Sequence, residues 1–269
     1  MSEIANSKSR PVPSLRVRLR ELTPARVALG RTGVSQQTSD VLAFQLAHAQ
    51  ARDAVHARLQ VNSLSAELAE LIKTSAHPHT NILHLHSAAI DRATYLQRPD
   101  LGRILDGPSR NLLAGSPISS SSDLAIILAD GLSALAVERH AIPLLTEFLP
   151  LLQSQHLAPI SIVEQARVAI GDEIGFAFGA DLSIVLIGER PGLSSPDSLG
   201  VYITWQPRPG RTDAERNCIS NIRAQGLSYP KAAAQVALYL SHARSRQLTG
   251  IALKPDAPMQ QRISNATKG

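Results

Sequence analysis

LSIVLIGERPGLSSPDSLGVYITW, residues 182–205, is the segment from which the fold can be worked out. Two apolar runs, residues 182–187 and 201–205, flank a polar loop that contains glycines, prolines, serines, Glu189 and Arg190. Strands at both ends would hold such a loop in place, and loops held by a rigid scaffold often carry binding residues. The segment therefore predicts two strands and a binding loop, with an ordinary strand connection as the alternative.

Apolar runs of strand length alternate with helical segments through the C-terminal half of the chain. Strands are predicted at residues 124–129, 160–163, 182–187 and 201–205, and helices at residues 130–155, 167–178 and 230–248. Strands joined by helices of this length form βαβ units, which predicts an α/β fold with a mainly parallel sheet flanked by helices. Ligands of such sheets bind beyond the carboxyl ends of the strands. We therefore expect one crevice to be lined by residues 130–131, 164–168 and 188–191.

The N-terminal half predicts mostly helices. An amphipathic helix is predicted over residues 41–59 from the helical spacing of Leu42, Leu46, Ala49 and Asp53, and a second helix over residues 65–74. Residues 91–106 are interpreted as a charged surface turn with a short helix, and the glycines, prolines and serines of residues 107–122 as a linker. The predicted organisation is a basic arm, a helical extension with its linker, and a C-terminal binding domain, at residues 1–35, 36–122 and 123–269.

Four histidines within ten residues suggest a metal site: His77, His79, His84 and His86. On a strand, His84 and His86 would share one face, which is a poor start for a tetrahedral site without further ligands. No cysteine or acidic residue follows at ligand spacing. Solvated histidines at a polar edge are therefore the preferred interpretation.

The net charge of +5 is concentrated in the first 31 residues, which hold seven basic and two acidic residues. A basic arm on a neutral body is typical of a docking or addressing segment, and no nucleic-acid motif follows it, so nucleic-acid binding is not expected. No apolar run is long enough for a membrane span, and no secretory signal is present. Together with the single cysteine, Cys218, these features predict a cytoplasmic protein without a disulfide.

Several motifs of enzyme chemistry are missing from the sequence. The first predicted strand is followed by DGLSA at residues 130–134 instead of GxGxxG, and the chain has neither GxxxxGK[ST] nor GxSxG. Cys218 has no histidine close in sequence, so a small half-buried side chain is its preferred interpretation, with a spatial partner left open. The residues alone indicate an α/β binding domain without a visible catalytic dyad. The rival classes are a binding module for another nucleotide-like ligand and a free-standing oxidoreductase.

Six segments, taken together, resemble the small (light) subunit of ethanolamine ammonia-lyase. They are ALGRTG (28–33), LAHAQARDAVH (46–56), DRATYLQRPDLGR (91–103), LADGLSALAV (128–137), IGERPGLSSPDSLGVYITWQPRPG (187–210) and TDAERNCISNIRAQGLSYPKAA (212–233). They occur in order along nearly the whole chain, and the last two are long and specific. Gln37 stands where the family pattern has proline, and residues 61–86 match no segment of the family.

The resemblance implies an adenosylcobalamin-dependent lyase that converts ethanolamine to acetaldehyde and ammonia. Its large TIM-barrel subunit would hold most of the active site, and this chain would cover the cobalamin with a Rossmann-like domain. The resemblance further implies a hetero-oligomer with equal numbers of both subunits, in the cytoplasm or inside a bacterial microcompartment.

By position in the family motifs, the cobalamin contacts would be Val168 in ARVAIGDEIG, Glu189 in GERPG and Cys218 in RNCISN. The resemblance assigns no catalytic residue and no metal ligand to this chain. The cobalt-binding motif DxHxxG is absent, which agrees with the family's base-on cofactor. A surface ion pair with Arg190 or Arg208 is the alternative role for Glu189.

Overall fold

A computed structural model describes residues 15–23, 25–27, 29–115 and 122–253. The helices are α1 (Leu15–Leu22), α2 (Thr38–His56), α3 (Val61–Thr74), α4 (Arg92–Gln97), α5 (Gly107–Gly115), α6 (Ala134–Phe148), α7 (Ile170–Ala177) and α8 (Tyr229–Arg246). The strands are β1 (Arg31–Thr32), β2 (Ser35–Gln36), β3 (Ile82–His86), β4 (Leu124–Ala129), β5 (Ile160–Glu164), β6 (Leu182–Gly188), β7 (Leu199–Trp205) and β8 (Arg216–Ile222).

Six of the strands form one mixed sheet in the order β3-β5-β4-β6-β7-β8. The first four strands in this order run parallel, whereas β7 is antiparallel to both β6 and β8. The predicted α/β fold with a mainly parallel sheet is therefore confirmed. The small hairpin β1–β2 lies outside this sheet.

Alternate residues of the central strands face two different layers of helices. Ile126 and Leu128 of β4 belong to a core formed with α3, α6 and α8, while Ala125 and Ile127 belong to a second core formed with α5 and α7. Every residue of β4 is consequently buried. Burial on both faces explains why the strand is continuously apolar and could be predicted from sequence.

The four predicted strands are confirmed, but β3 and β8 were missed. Both lie at the edges of the sheet, where only part of each strand is buried. Their sequences, ILHLH and RNCISNI, therefore lack a continuous apolar run. Residues 107–115 of the predicted linker form α5, and residues 116–121 lie outside the described residues. The division into three segments stays a prediction.

The prediction for the first long helix was right about its existence and wrong about its packing face. The buried residues of α2 are Ala47, Ala51 and Ala54, whereas Leu42 and Leu46 are 59% and 62% exposed. Alanines allow the helix backbone to approach the body of the protein closely. The spacing of the larger residues therefore marked a face that the described chain leaves in solvent.

A buried ion pair joins α7 to the edge strand β8. Both carboxylate oxygens of Asp172 accept hydrogen bonds from the Arg216 guanidinium, at 2.6 and 2.7 Å, and the two side chains are only 3% and 2% exposed. The guanidinium also donates to the hydroxyl of Thr204 on β7. Such a pair holds elements in register, because breaking it leaves an uncompensated buried charge.

We expect Asp172→Ala to lower the free energy of unfolding by about 3–5 kcal/mol, because the Arg216 guanidinium would lose its buried counter-charge and keep only the exposed Asp213 at 3.4 Å. Urea unfolding followed by circular dichroism measures this change. Asp100→Ala is the control, since it breaks an ion pair with Arg98 in which both side chains are about 60% exposed. That variant should unfold at nearly the wild-type urea concentration. Similar destabilisation by both variants would contradict the special role of the buried pair.

Candidate functional site

The strand order reverses direction between β4 and β6. From β4 the chain passes through α6 to β5 on one side of β4, and from β5 it passes through α7 to β6 on the other side. Helices α6 and α7 pack on opposite faces of the sheet. A gap opens beyond the carboxyl ends of the strands at such a reversal, and ligands of open α/β sheets bind there.

A crevice with a volume of about 240 Å³ lies at this point. It is lined by Tyr95, Gly131, Leu132, Arg167, Val168, Ile187, Gly188, Glu189, Arg190 and Tyr202. The prediction that three strand ends line one crevice is confirmed, because residues that follow β4, β5 and β6 all contribute.

Two glycines form the floor of the crevice. A Cβ atom on Gly131, whose φ is +58°, would lie 2.2 Å from the carbonyl oxygen of Gly188, and a Cβ atom on Gly188 would lie 2.0 Å from the carbonyl oxygen of Ser133. The backbone N–H of Leu132 donates to the Gly188 carbonyl at 2.9 Å. The ends of β4 and β6 therefore meet backbone to backbone, which leaves open space for a ligand above them.

Glu189 is half-buried on the crevice wall and is held by uncharged partners. Its Oε2 accepts hydrogen bonds from the Ser198 hydroxyl and, at 3.3 Å, from the backbone N–H of Asn221. In the described ranges no ion pair links Glu189 to Arg190 or Arg208. Val168 is half-buried in the same crevice. Both positions lie where the sequence predicted them.

Cys218 reaches the rim of the crevice through the antiparallel pairing of two strands. It lies on β8 directly opposite Tyr202 of β7, and Tyr202 lines the crevice. The thiol is exposed and lies 3.2 Å from the Ser220 hydroxyl. Burial, with the neighbouring thiol, raises the pKa of the Tyr202 phenol. The structure thus brings Val168 and Glu189 together in the crevice, whereas Cys218 does not line it and adjoins it only through Tyr202.

The short helix predicted within residues 91–106 is confirmed as α4, but Arg92 and Tyr95 are buried beside the crevice, so the surface interpretation was wrong for these two residues. The Arg92 guanidinium donates to the Gly131 carbonyl at 2.8 Å and lies 3.5 Å from the Asp130 carboxylate. Its Nε donates to the carbonyl of Val55 in α2 at 2.6 Å. The sequence did carry a signal, because Asp91 caps α4 and places Arg92 and Tyr95 three residues apart on one side of a short helix.

The ring of Tyr95 lies between two guanidinium groups. The Arg92 and Arg167 carbons are 4.7 and 4.2 Å from the ring centroid, and the Tyr95 hydroxyl donates to the Ala166 carbonyl. Nη2 of Arg92 and Nε of Arg167 are buried without a hydrogen-bond partner among the described residues. Buried donors beside a cavity can be satisfied by oxygen atoms of a ligand.

Comparison with known proteins identifies the family. Residues 15–254 match the model of the ethanolamine ammonia-lyase light chain (EutC) family. A curated relative from Pseudomonas fluorescens, named ethanolamine ammonia-lyase small subunit, is 53% identical over 90% of this chain and 87% of its own length. Relatives of the same name from Ralstonia nicotianae and Pseudomonas paraeruginosa are 54% and 52% identical, over 89% and 93% of this chain and 87% and 90% of theirs.

The chain belongs to the ethanolamine ammonia-lyase light chain family. The resemblance stated from the sequence segments is thereby confirmed. No helix among the described residues combines the length and apolarity that a membrane span needs. Across the same ranges, no three His, Cys, Asp or Glu side chains converge in a way that could hold a metal ion, and His84 instead lies 3.0 Å from the Ser65 hydroxyl.

Asp130 directly follows β4 and is almost fully buried. Its carboxylate accepts the backbone N–H groups of Gln165 and Ala166 at 2.9 and 3.0 Å, which ties the end of β4 to the residues after β5. Burial raises the pKa of Asp130 to about 6, although these hydrogen bonds and Arg92 act in the opposite direction. The same carboxyl group therefore has a pKa of about 6 and joins the residues that follow β4 to those that follow β5.

The raised pKa of Asp130 predicts how stability depends on pH. Between about pH 4 and pH 6 the folded chain holds a proton on Asp130 that the unfolded chain has released, so this group's contribution to stability falls as pH rises through that window. The asparagine in Asp130→Asn cannot titrate. Between about pH 4 and pH 6 the free energy of unfolding of this variant should therefore fall less than that of wild type, and the difference should be roughly 1 to 3 kcal/mol.

Urea unfolding at a series of pH values tests this difference. Asp181→Asn, at an exposed position, is the control and should keep the wild-type pH dependence. Equal pH dependence in Asp130→Asn and wild type would contradict the assignment, whatever the absolute stability of the variant.

Proposed function

We propose that this chain is the small subunit of an adenosylcobalamin-dependent ethanolamine ammonia-lyase, which converts ethanolamine to acetaldehyde and ammonia. Its crevice would cover the cobalamin against a catalytic large subunit. The observation that carries the proposal is that Val168, Glu189 and Tyr202 line one crevice, with Cys218 paired to Tyr202 on the neighbouring strand. The names of the curated relatives support it. The proposal also includes equal numbers of both subunits and a location in the cytoplasm, either free or inside a bacterial microcompartment.

The chemistry of the crevice fits a corrin edge with its amide side chains. The Glu189 carboxylate can accept hydrogen bonds from amide N–H groups. The Arg167 guanidinium lines the crevice and can donate to an amide oxygen, and Val168 offers an apolar contact. The glycine floor lets the ligand approach the backbone. Acceptor, donor and apolar surface therefore lie within one crevice, as a ring with polar substituents requires.

The size of the crevice indicates that this chain supplies only one wall of the site. Pockets that enclose a drug-sized ligand typically have volumes of about 300–1,000 Å³, and a cobalamin is larger than such ligands. A crevice of about 240 Å³ cannot enclose it. Under the proposal the remaining walls come from another chain, which the words "small subunit" in the relatives' names support.

When bound, adenosylcobalamin supplies radical chemistry through homolysis of its cobalt–carbon bond. The residues of this chain would bind and orient the corrin edge and exclude water from it. Glu189 can do so without reorganisation, because Ser198 and Asn221 already fix its carboxylate. Exclusion of water strengthens each hydrogen bond made in the crevice.

We expect Glu189→Ala to weaken adenosylcobalamin binding by the assembled complex roughly 10- to 100-fold. A charge-assisted hydrogen bond contributes about 1.5–3 kcal/mol when water is excluded, and each 1.4 kcal/mol corresponds to a factor of ten. Titration of the reconstituted complex with cofactor measures the dissociation constant.

Two further variants sharpen this test. Glu189→Gln keeps an acceptor for Ser198 and should bind the cofactor with intermediate affinity, while Glu147→Ala, at an exposed position of α6, should leave affinity unchanged. Wild-type affinity in Glu189→Ala would show that Glu189 is not a cofactor ligand.

We also expect the isolated chain, loaded with cobalamin, to lack lyase activity, because its crevice provides one wall and the catalytic machinery is assigned to the large subunit. Purified together with the large subunit and cobalamin, the complex should be red and should deaminate ethanolamine. The same preparations separate the alternatives. Flavin or nicotinamide absorbance in the purified protein would favour an oxidoreductase, and turnover by the isolated chain would refute the division of labour.

A further inference from the structure

A second cavity, with a volume of about 220 Å³, adjoins the crevice beside the residues that follow β5. Its lining includes Arg103, Arg167, Val168, Tyr202 and Asp213, and we call it the side cavity. Three of these residues, Arg167, Val168 and Tyr202, also line the crevice. A ligand too large for the crevice can therefore extend from it towards the side cavity.

The charged side chains of the side cavity favour an anion. Arg103 and Arg167 bring two positive charges, and Asp213 brings the single carboxylate of the lining. That carboxylate is 82% exposed and lies 3.4 Å from Nε of Arg216, which partly neutralises it. Arg103 is exposed, and its side chain makes neither an ion pair nor a hydrogen bond within the described ranges. The guanidinium of Arg103 is therefore available to a ligand.

Local packing brings the two arginines to the same cavity. The Arg167 N–H donates to the carbonyl of Gly102, the residue before Arg103, at 2.7 Å. A Cβ atom on Gly102 would lie 3.0 Å from the Arg167 side chain, from the Gln165 carbonyl and from the Tyr95 ring. The same ring stacks on the Arg167 guanidinium, whose carbon is 4.2 Å from the ring centroid. Arg167 is therefore fixed before any ligand binds, and Gly102 permits the close packing that places Arg103 beside it.

Tyr202 adds a neutral donor between the crevice and the side cavity. Burial, together with the neighbouring Cys218 thiol, raises the pKa of the Tyr202 phenol, so the hydroxyl keeps its proton at neutral pH. Guanidinium and hydroxyl groups are the donors that typically bind phosphate oxygens. With two arginines and one carboxylate, the lining suits a group with a single negative charge, such as a phosphodiester.

We propose that the side cavity binds the phosphodiester in the nucleotide loop of the cobalamin, with Arg103 as its partner on this chain. This inference rests on the proposed function. A cobalamin carries amide side chains on its corrin ring and a phosphodiester in the loop that bears its benzimidazole. A corrin edge that lies against Val168 and Glu189 in the crevice would direct this loop towards the adjoining side cavity. Arg103 would then distinguish a complete cobalamin from a corrinoid without phosphate.

The test compares three corrinoids bound by the reconstituted complex of this chain with the large subunit. Adenosylcobalamin has the phosphodiester, adenosylcobinamide phosphate keeps a phosphate group without the benzimidazole, and adenosylcobinamide lacks both. Arg103→Ala removes the proposed phosphate partner. Arg98→Ala is the matched control, because it removes an equal charge from the same segment, where the side chain is 62% exposed and paired with Asp100. Titration calorimetry gives the dissociation constants, and circular dichroism checks folding.

We expect Arg103→Ala to raise the dissociation constant about tenfold for the two corrinoids that carry phosphate, because a charge-assisted hydrogen bond is lost. The dissociation constant for adenosylcobinamide should stay within about twofold of wild type. Arg103→Lys keeps the charge without the fork of donors and should give a smaller rise. Arg98→Ala should bind all three corrinoids as wild type does. If Arg103→Ala fails to fold, Arg103→Gln replaces it in the same comparison.

Each contrary outcome has a distinct meaning. If the loss of Arg103 weakens all three corrinoids equally, or none of them, the phosphate subsite is overturned and the proposed function stands. If the wild-type complex binds no corrinoid, the proposed function itself fails. If inorganic phosphate binds the full-length chain through Arg103 while the corrinoids show no dependence on phosphate, the side cavity serves a free phosphate and the proposal is wrong.

Discussion

The close approach of Gly131 and Gly188 is the constraint on which the site depends. A side chain at either position would overlap a backbone carbonyl and push the ends of β4 and β6 apart. The Leu132–Gly188 hydrogen bond would then be lost, and Ser133 next to it would move. Ser133 caps α6 and also donates to the Pro196 carbonyl in the loop after β6. The contact between the two glycines thus positions the first turn of α6, the loop after β6 and the Gly131 carbonyl that accepts a hydrogen bond from Arg92.

Around this contact the protein maintains a buried network of charged groups, which is costly unless every member has partners. Arg92 links α4 to two other elements, because its guanidinium reaches Val55 of α2 and both Asp130 and Gly131 at the end of β4. Asp130 in turn holds the backbone after β5. Among the described residues, Nη2 of Arg92 and Nε of Arg167 are buried without partners, and Arg167 also lines the crevice. The desolvation of these two nitrogens is an unfavourable contribution to the stability of the described chain.

The sequence predicted those parts of the molecule whose structure is determined by local residue patterns. Residues 124–129 are apolar because both faces of β4 are buried, so strand and crevice ends could be located from pattern alone. Cys218 could not be placed, because its neighbour Tyr202 is set by the register between β7 and β8, which no local pattern encodes. Burial of Arg92 was missed for a similar reason, since its partners Val55 and Gly131 lie 37 and 39 residues away. On α2 the alanines are buried and the large apolar residues are exposed, although the spacing of large apolar residues is usually taken to mark the buried face of a helix.

Helix α2 and the loop that follows β6 are held to the body of the protein by different kinds of contact. The loop after β6 is held at Asp197 by an ion pair with Arg139 at 2.8 Å and by His140 at 3.4 Å, while His140 also lies 2.9 Å from the Tyr229 hydroxyl. Binding therefore need not order this loop, and less of the interaction energy is lost on ligand binding. The N-terminal half of helix α2 is held differently, because none of its residues from Thr38 to Leu46 is buried and its contacts include the hydrogen bonds Gly30–Asp40 and Arg26–Ala43. The other end of the helix is fixed to the crevice floor, because the buried Arg92 side chain donates both to Val55 in the last turn of α2 and to Gly131.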